Sequence, residues 1–260
     1  MTSQILNSFI RRAFSNSASH YEVLAGMQYE IGRELIKGIE VPADCCRILD
    51  IGMGTGKLAN RLILSFPEAK VVGLDFADGM VAHAKKIYDT FQIVQANALA
   101  LPFADETFDA AVSNLAYQWV DDLAAAFAEA RRILKPQGQL LATLFGRETL
   151  DELFKSLERT GPSPGGVELK RLPDQGIIHD SLEAAGFRDV GVTAEINKTH
   201  FESMNDLLKW LKSIGANAMN RDYYLGPRQL ERAAEYYEKN FSERWGVTAS
   251  FEVIWIKGKK

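Results

Sequence analysis

The chain contains only two cysteines, Cys45 and Cys46, which are adjacent and therefore poorly placed to crosslink a fold. Its four histidines form no metal-ligand spacing with them. No apolar run reaches the roughly 18 residues that would span a bilayer, and the start lacks the basic-then-apolar layout of a secretory signal. These absences argue against a disulfide scaffold, a Cys/His metal site and a membrane span, and they predict a cytoplasmic protein.

Charge of one sign is not in large excess, because 30 basic side chains stand against 34 acidic ones, a formal net charge of −4. The overall field would repel a nucleic acid or an anionic membrane, so neither is an expected partner. Hydrophobic residues make up 47% of the 260 residues, enough for a substantial core. Length and composition together predict one domain over residues 1–260.

Short apolar runs alternate with helical patterns, which predicts an α/β fold with a mostly parallel sheet, Rossmann-like and doubly wound. Seven strands are predicted, at 47–51, 70–75, 91–95, 108–114, 139–145, 188–199 and 248–257. The last two would pair as a terminal hairpin. A loop rich in glycine and proline at 159–176 and a helix at about 174–186 precede that hairpin.

Two helical segments lie outside this alternation, and we expect both to cover the site. Residues 1–40 show helical spacing and no strand, so the crevice above the strand ends is the place left for this N-terminal cap. Residues 203–243 form a helical block between the last two strands. This position predicts an insertion over the sheet that acts as a lid.

The strongest motif is a glycine-dense turn after the first strand, Leu49-Asp50-Ile51-Gly52-Met53-Gly54-Thr55-Gly56. Glycine lets the backbone turn sharply and approach a ligand without an intervening Cβ. A dinucleotide fingerprint needs Gly-x-Gly-x-x-Gly, and the position of its last glycine is Lys57. The observed Gly-x-Gly-x-Gly spacing favours an S-adenosylmethionine loop, with a nicotinamide site or a turn without a ligand as alternatives.

Two further motifs follow the next strands. Asp75 ends the second strand, where a carboxylate could accept hydrogen bonds from ribose hydroxyls, and the sequence Leu74-Asp75-Phe76 favours this role over the alternative of an acid at a helix N-terminus. After the third strand, Asn97 could accept a hydrogen bond from an adenine amino group, with Ala98 donating through its backbone amide. Asn97 alone also fits a turn former.

In this order the three motifs resemble the class I S-adenosylmethionine-dependent methyltransferases, from about Arg47 to Gly146. The family pattern usually has Cys, Asp and Gly where this chain has Met53, Asn97 and Gln137. The resemblance implies S-adenosylmethionine as cofactor. The residues that it assigns to the cofactor site are Asp50, Gly52, Gly54, Gly56, Asp75, Phe76, Met80, Asn97, Ala98 and Asn114.

Other stretches, at residues 12–28, 113–119, 149–153 and 207–217, extend the resemblance over nearly the whole chain. Together they look like the malonyl-acyl-carrier-protein O-methyltransferase family of biotin synthesis. The resemblance implies methylation of the free malonyl carboxyl. It is thinnest at 159–178, where Lys170-Arg171-Leu172-Pro173 stands in place of a usual His-x-x-Arg-Phe.

Such a carboxyl is ionised at neutral pH, so no general base is needed, and no histidine lies in a motif that demands one. The two reacting charges are neutralised together, so we expect a dry pocket to favour the reaction. We expect Tyr21, Gln118 and Trp119 to line the acceptor side and Arg147 to orient the carboxylate. Ordinary aromatic packing and a surface arginine are the alternatives.

An acidic carrier protein would need a local basic surface on this chain. From Asn205 to Arg232 there are five basic residues against three acidic ones, which predicts a docking face, although a solvated helix face looks similar. Its basic residues are Lys209, Lys212, Arg221, Arg228 and Arg232. Two other functions stay open: methylation of another small carboxylate or a quinone precursor, and a non-catalytic adenosyl-binding or assembly role.

Overall fold

The computed structural model describes residues 3–41, 46–160, 172–216 and 226–260. The strands are β1 (Arg47–Ile51), β2 (Lys70–Asp75), β3 (Gln92–Gln95), β4 (Phe108–Asn114), β5 (Leu134–Phe145), β6 (Arg188–Phe201), β7 (Ser242–Glu243) and β8 (Gly246–Lys259). The helices are α1 (Ser3–Leu24), α2 (Gly26–Ile36), α3 (Lys57–Ser65), α4 (Asp78–Ile87), α5 (Leu123–Ile133), α6 (Asp151–Glu158), α7 (Gln175–Ala184), α8 (Met204–Ser213) and α9 (Pro227–Phe241).

The strands form one mostly parallel sheet in the spatial order β3-β2-β1-β4-β5-β8-β6. Strands β1 to β5 pair with one another in parallel, and β8 is antiparallel to both β5 and β6. The chain runs outward from β1 to β3 and then returns to place β4 on the other side of β1. This reversal opens a crevice at the carboxyl ends of β1 and β4, where doubly wound sheets bind ligands. The predicted Rossmann-like architecture is confirmed.

The core lies on both faces of the sheet because successive strand residues point to opposite sides. On one face, Leu49 packs in a cluster with Phe127 of α5. On the other, Ile48 packs in a cluster with Leu62 of α3. All four side chains are fully buried, so both faces of β1 are covered by helices.

The observed elements differ from the sequence predictions in three places. Strand β5 begins at Leu134 rather than 139, because Leu134 pairs with Phe108 before the register shifts and Gln139 pairs with Ala110. Helix α6 was not predicted; its apolar Leu153 packs in a small separate cluster beside the sheet. The eighth strand of the described chain is β7, a two-residue piece that pairs with β8.

The two helical segments outside the alternation are present. Helices α1 and α2 occupy the N-terminal segment, and α8 and α9 lie between β6 and β8. Residues 217–225 of the predicted lid and 161–171 of the predicted loop lie outside the described residues. Across the part of the chain that the structure describes, none of the helices is both long enough and apolar enough for a membrane crossing.

Candidate active site

The glycine-dense turn connects β1 to α3 at the point where the strand order reverses. Gly52 has a φ of +77°, and a Cβ there would lie 2.2 Å from the Cβ of Ala116, so the position excludes any side chain. The amides of Gly52 and Met53 both donate to the carbonyl oxygen of Leu74, at 2.7 and 2.9 Å. These bonds fasten the turn against β2, so its backbone is presented to the crevice in one conformation.

Two carboxylates lie beside this turn. Asp75 accepts hydrogen bonds from the backbone amides of Gly54 and Ala77, each at 2.8 Å. Burial raises the pKa of Asp75 to about 6, while those backbone donors act in the opposite direction. Asp75 is thus held in a fixed orientation at the end of β2.

Asp50 is fully buried, and neither of its carboxylate oxygens has a hydrogen-bond partner among the described residues. Burial, and secondarily the charge of Asp75, raises the pKa of Asp50 to about 8, while the nearby backbone amide of Ala59, outside good hydrogen-bond geometry, acts weakly in the opposite direction. A buried carboxylate without a partner is costly. A positively charged ligand group next to Asp50 would remove that cost.

A cavity of about 920 Å³, here called the switch-point cavity, lies at the carboxyl ends of β1, β2 and β4. The predicted cofactor residues that line it are Gly52, Gly54, Asp75, Phe76, Met80, Asn97, Ala98 and Asn114. Asp50 lines an adjoining side cavity of about 540 Å³, together with Gly52 and Gly54. Gly56 is not in the lining of either cavity. Its φ is +90° and a Cβ would meet the rings of Tyr88 and Phe91, so it serves local packing.

Two of the predicted polar side chains, Asn97 and Asn114, already form hydrogen bonds within the protein. The Asn97 Oδ1 atom accepts a hydrogen bond from the Leu99 amide at 3.0 Å, which leaves one further lone pair for a ligand donor. The Asn114 side chain donates to the carbonyl of Gln28 and accepts from the Thr143 hydroxyl, both at 2.8 Å. The Asn114 side chain therefore links α2 to the sheet, and these two hydrogen bonds hold the residue in the cavity wall.

A second cavity of about 740 Å³, here called the apolar cavity, lies beside the first. Tyr21, Gln118 and Trp119 line it, as expected for the acceptor side. Arg147 is not among its lining residues. The Arg147 side chain is 58% exposed, and its nearest charged partner is Asp174 at 3.8 Å. The expectation for Arg147 rested on its place in the sequence just after β5. In the structure its side chain instead points away from the apolar cavity, toward solvent and Asp174.

Tyr21 lines all three cavities. Burial, and secondarily the charge of Asp75, raises the pKa of Tyr21 to about 12, so its hydroxyl stays protonated at neutral pH. The hydroxyl is therefore a donor at the junction between the cavities.

Helix α1 contributes wall residues that the sequence analysis did not single out. Arg11 and Phe14 line the switch-point cavity, and Arg11 pairs with Asp78 of α4 at 2.9 Å. Ser15 donates to the same carboxylate at 3.1 Å and accepts from the amide of Gly79. Phe14 and Ser15 belong to the stretch 12–28 that carried the resemblance, but a single sequence does not show which of its residues line a cavity, and Arg11 lies just outside that stretch.

The comparisons with known proteins agree with this geometry. The family described as "Methyltransferase domain" matches residues 49–142. A malonyl-[acyl-carrier protein] O-methyltransferase of Methylococcus capsulatus is 33% identical over 93% of this chain and 90% of its own. The enzyme of that name from Hahella chejuensis is 35% identical, over 95% of this chain and 88% of its own. The chain belongs to this family.

Solved structures similar to this family member support the fold. The YcgJ protein of Bacillus subtilis has a TM-score of 0.63 at 22% identity, covering 89% of this chain and 98% of its own. A phosphoethanolamine N-methyltransferase of Haemonchus contortus was solved with S-adenosylhomocysteine. It has a TM-score of 0.61 at 20% identity, covering 98% of this chain and 60% of its own. The chain is accordingly an S-adenosylmethionine-dependent methyltransferase.

Proposed function

We propose that this methyltransferase esterifies the free carboxyl of a malonyl group held on acyl carrier protein, an early step of biotin synthesis. The observation that carries the proposal is the adjacency of the two cavities at Tyr21, one with polar loops for the methyl donor and one with a largely apolar wall for an acyl group. Relatives at 32 to 35% identity over nearly their whole length are named for this reaction.

The residues at the switch-point cavity fit S-adenosylmethionine. Asp50 supplies an unpartnered buried carboxylate for the ammonium group, and Gly52 leaves backbone exposed where a Cβ would clash. In this proposal Asp75 accepts hydrogen bonds from the ribose hydroxyls, and Asn97 and Ala98 bind adenine. Gly54, Phe76, Met80 and Asn114 shape the remaining wall.

When bound, S-adenosylmethionine supplies a methyl group on a positively charged sulfur; its transfer to a carboxylate oxygen breaks the carbon–sulfur bond, leaves the electron pair on sulfur and moves no proton. The chain therefore needs to position the carboxylate and exclude water rather than supply a base. Tyr21, Gln118 and Trp119 are the proposed acceptor residues. We propose that α1 and α2 form the cap of a single domain and that α8 and α9 form its lid.

The carrier protein would dock on the basic side chains of α8 and α9. Lys209, Lys212, Arg228 and Arg232 are all exposed there, and Arg221 lies outside the described residues. Lys209 also forms an ion pair with Asp206 at 2.9 Å, and this carboxylate partly offsets the positive charge that Lys209 presents to a partner. The negative net charge of the chain makes such a local basic face necessary for an acidic partner.

Radiolabelled methyl transfer tests the proposal. With malonyl-carrier protein as acceptor, we expect a labelled, base-labile methyl ester on the carrier. If label goes only to other carboxylates or to a quinone precursor, the protein is a methyltransferase with a different acceptor from the one proposed. Cofactor binding without transfer to any acceptor would instead support a non-catalytic role. Rescue of a biotin auxotroph by the full chain tests the same assignment in cells and the predicted cytoplasmic location with it.

A further inference from the structure

The segment that joins β3 to β4 carries Asn97, the residue proposed to accept a hydrogen bond from adenine, close to its start. A tight turn holds Asn97: its Oδ1 atom accepts from the Leu99 amide and its carbonyl oxygen from the Ala100 amide, both at 3.0 Å. On the strand side of the turn, the Ala96 amide donates to the carbonyl oxygen of Asp75 at 3.1 Å. These bonds fix the shape of the turn and one of its ends.

The other end of the turn is held by helix α5. The backbone amide of Leu101 donates to the Glu129 Oε2 atom at 2.8 Å, and the Leu101 carbonyl oxygen accepts from the Arg132 guanidinium at 2.9 Å. Leu101 is buried, and a buried backbone amide or carbonyl needs a hydrogen-bond partner. Two side chains of one helix thus supply the partners for both backbone groups of Leu101.

Arg132 uses its remaining donors in the same place. Its Nε and Nη2 atoms donate to the two carboxylate oxygens of Glu129 at 2.8 and 3.0 Å. Its Nη1 atom donates to the carbonyl oxygen of Phe103 and to the carboxylate of Asp105, both at 2.8 Å. The Arg132 and Glu129 side chains are only 31% and 24% exposed. Because the guanidinium is planar and its donors point in fixed directions, these bonds together define one position for residues 101–105.

Apolar packing alone would not position the turn in this way. Ala98 and Leu99 pack against the core cluster that contains Phe127, and Leu101 belongs to it. Such packing is non-directional, so it holds the turn against the core but tolerates small rotations of its backbone. A hydrogen bond to the Asn97 Oδ1 atom requires a narrow range of distances and angles. The directional bonds from α5 therefore decide whether Asn97 can form it.

We infer that Arg132 and Glu129 are positioning residues for base recognition: by holding Leu101, they place the Asn97 acceptor where it distinguishes an adenine amino group from a carbonyl oxygen at the same ring position. This role rests on the proposed function, which assigns Asn97 to adenine. Arg132 and Glu129 are not in the described lining of the switch-point cavity, so they act through the turn and not by contact with the cofactor. A purely structural role would affect the binding of both bases alike.

Calorimetric titration of the full chain with S-adenosylhomocysteine and S-inosylhomocysteine separates these two roles. S-inosylhomocysteine has a carbonyl oxygen where adenine has its amino group, so that oxygen would face the Asn97 Oδ1 atom with no hydrogen between them. In the unaltered protein we expect S-adenosylhomocysteine to bind about tenfold more tightly or better. Arg132→Met should reduce this preference to about twofold, mainly by weakening the adenine ligand.

Glu129→Gln is a milder second variant, because its amide oxygen can still accept from the Leu101 amide while the charged pair with Arg132 is lost. We expect it to reduce the preference by about threefold. If Arg132→Met does not fold, as judged by thermal unfolding, Glu129→Gln decides the question by the same comparison.

Lys135→Met is the matched control. It removes another partly buried cation, whose ammonium group donates to both carboxylate oxygens of Asp109 at 2.8 and 2.9 Å. Asp109 lies near the start of β4, whereas the switch-point cavity lies at the carboxyl end of that strand. Lys135→Met should therefore lower thermal stability without changing the preference between the two ligands.

Three results would overturn the positioning role. If the folded variants of Arg132 and Glu129 weaken both ligands by the same factor, or neither, the pair is structural only and the proposed function is unaffected. If the unaltered protein binds both ligands equally, Asn97 does not recognise the adenine amino group, and the role fails while methyl transfer to malonyl-carrier protein is decided by the labelling experiment. If the unaltered protein binds neither ligand, the proposed function fails as well.

Discussion

Phe14 and Trp119 meet edge to face with their ring centroids 5.1 Å apart, and each ring lines both the switch-point cavity and the apolar cavity. One ring comes from the N-terminal helix and the other from the turn after β4. The pair therefore forms an apolar boundary where the methyl donor and acceptor are proposed to meet.

Replacing Phe14 by Ala should lower kcat by about tenfold, because water enters where the two reactants meet. The aromatic contact itself contributes about 0.5–1.5 kcal/mol beyond its buried area, so a modest loss of thermal stability is expected as well. Phe14→Leu, which keeps an apolar side chain, should recover most of the rate. An unchanged kcat in Phe14→Ala would assign the pair to packing alone.

The raised pKa of Asp50, about 8, predicts proton release on cofactor binding. At pH 7 the free protein holds this carboxyl mostly protonated, and a cationic ligand group beside it favours the ionised form. Calorimetric titration with S-adenosylmethionine should therefore give a binding enthalpy that depends on the ionisation enthalpy of the buffer. Asp50→Asn should remove that dependence, and a buffer-independent enthalpy in the unaltered protein would contradict the assignment.

Burial of Asp50 and Asp75 also sets the pH dependence of stability. Both carboxyls have pKa values above their ordinary ones in the fold, so the folded chain binds more protons than the unfolded chain between about pH 4 and pH 8. The contribution of these groups therefore falls as the pH rises through that window. Thermal unfolding of Asp50→Asn should lose part of this dependence. If stability depends on pH in the same way in both proteins, the pKa of Asp50 is not raised by folding.

Tyr21→Phe should lower kcat more than it weakens cofactor binding, since the hydroxyl lies at the junction of the cavities. Because the pKa of Tyr21 is about 12, the hydroxyl acts as a donor and not as a base. The pH profile of kcat/KM should thus have the same shape in Tyr21→Phe as in the unaltered enzyme, because Tyr21 contributes no titration to it. A rate equal to that of the unaltered enzyme would return Tyr21 to a packing role.

Gly79→Val should weaken S-adenosylmethionine binding by about tenfold. A Cβ at Gly79 would lie 2.4 Å from the carbonyl oxygen of Ser15, so the side chain would push α1 away from α4 and open the switch-point cavity. Gly26→Ala is the control, because its Cβ would meet no atom within 4 Å. Equal affinities in the Gly79 variant and the unaltered protein would show that α1 does not close this cavity.

Changing Lys209 and Lys212 together to Glu should raise the KM for malonyl-carrier protein while sparing malonyl-coenzyme A. The reason is that reversing two exposed charges repels an acidic protein surface but leaves the small acceptor's cavity intact. Lys85→Glu with Lys86→Glu, at the end of α4, provides a control of equal charge. Equal effects on both acceptors would place docking elsewhere.

The parallel core of the fold was predictable from the chain because its signals are local. β1 and β2 were predicted with their observed bounds, since each is a short, mostly apolar run whose central residues are buried. The turn from Gly52 to Gly56 was predictable because only glycine tolerates its backbone angles and close approach. The bulged start of β5 was missed, since register is set by the partner strand and not by the run itself.

The sheet, the glycine turn and the family could all be predicted from the chain, because each depends on neighbouring residues whose spacing has one physical interpretation. Which side chains meet depended instead on how the helices and strands pack together. The tertiary structure brought Phe14 to Trp119 and Gln28 to the apolar cavity, and it carried Arg147 away to Asp174. Such contacts join residues that are distant in sequence, and their geometry depends on how helices pack on the sheet, which no local pattern specifies.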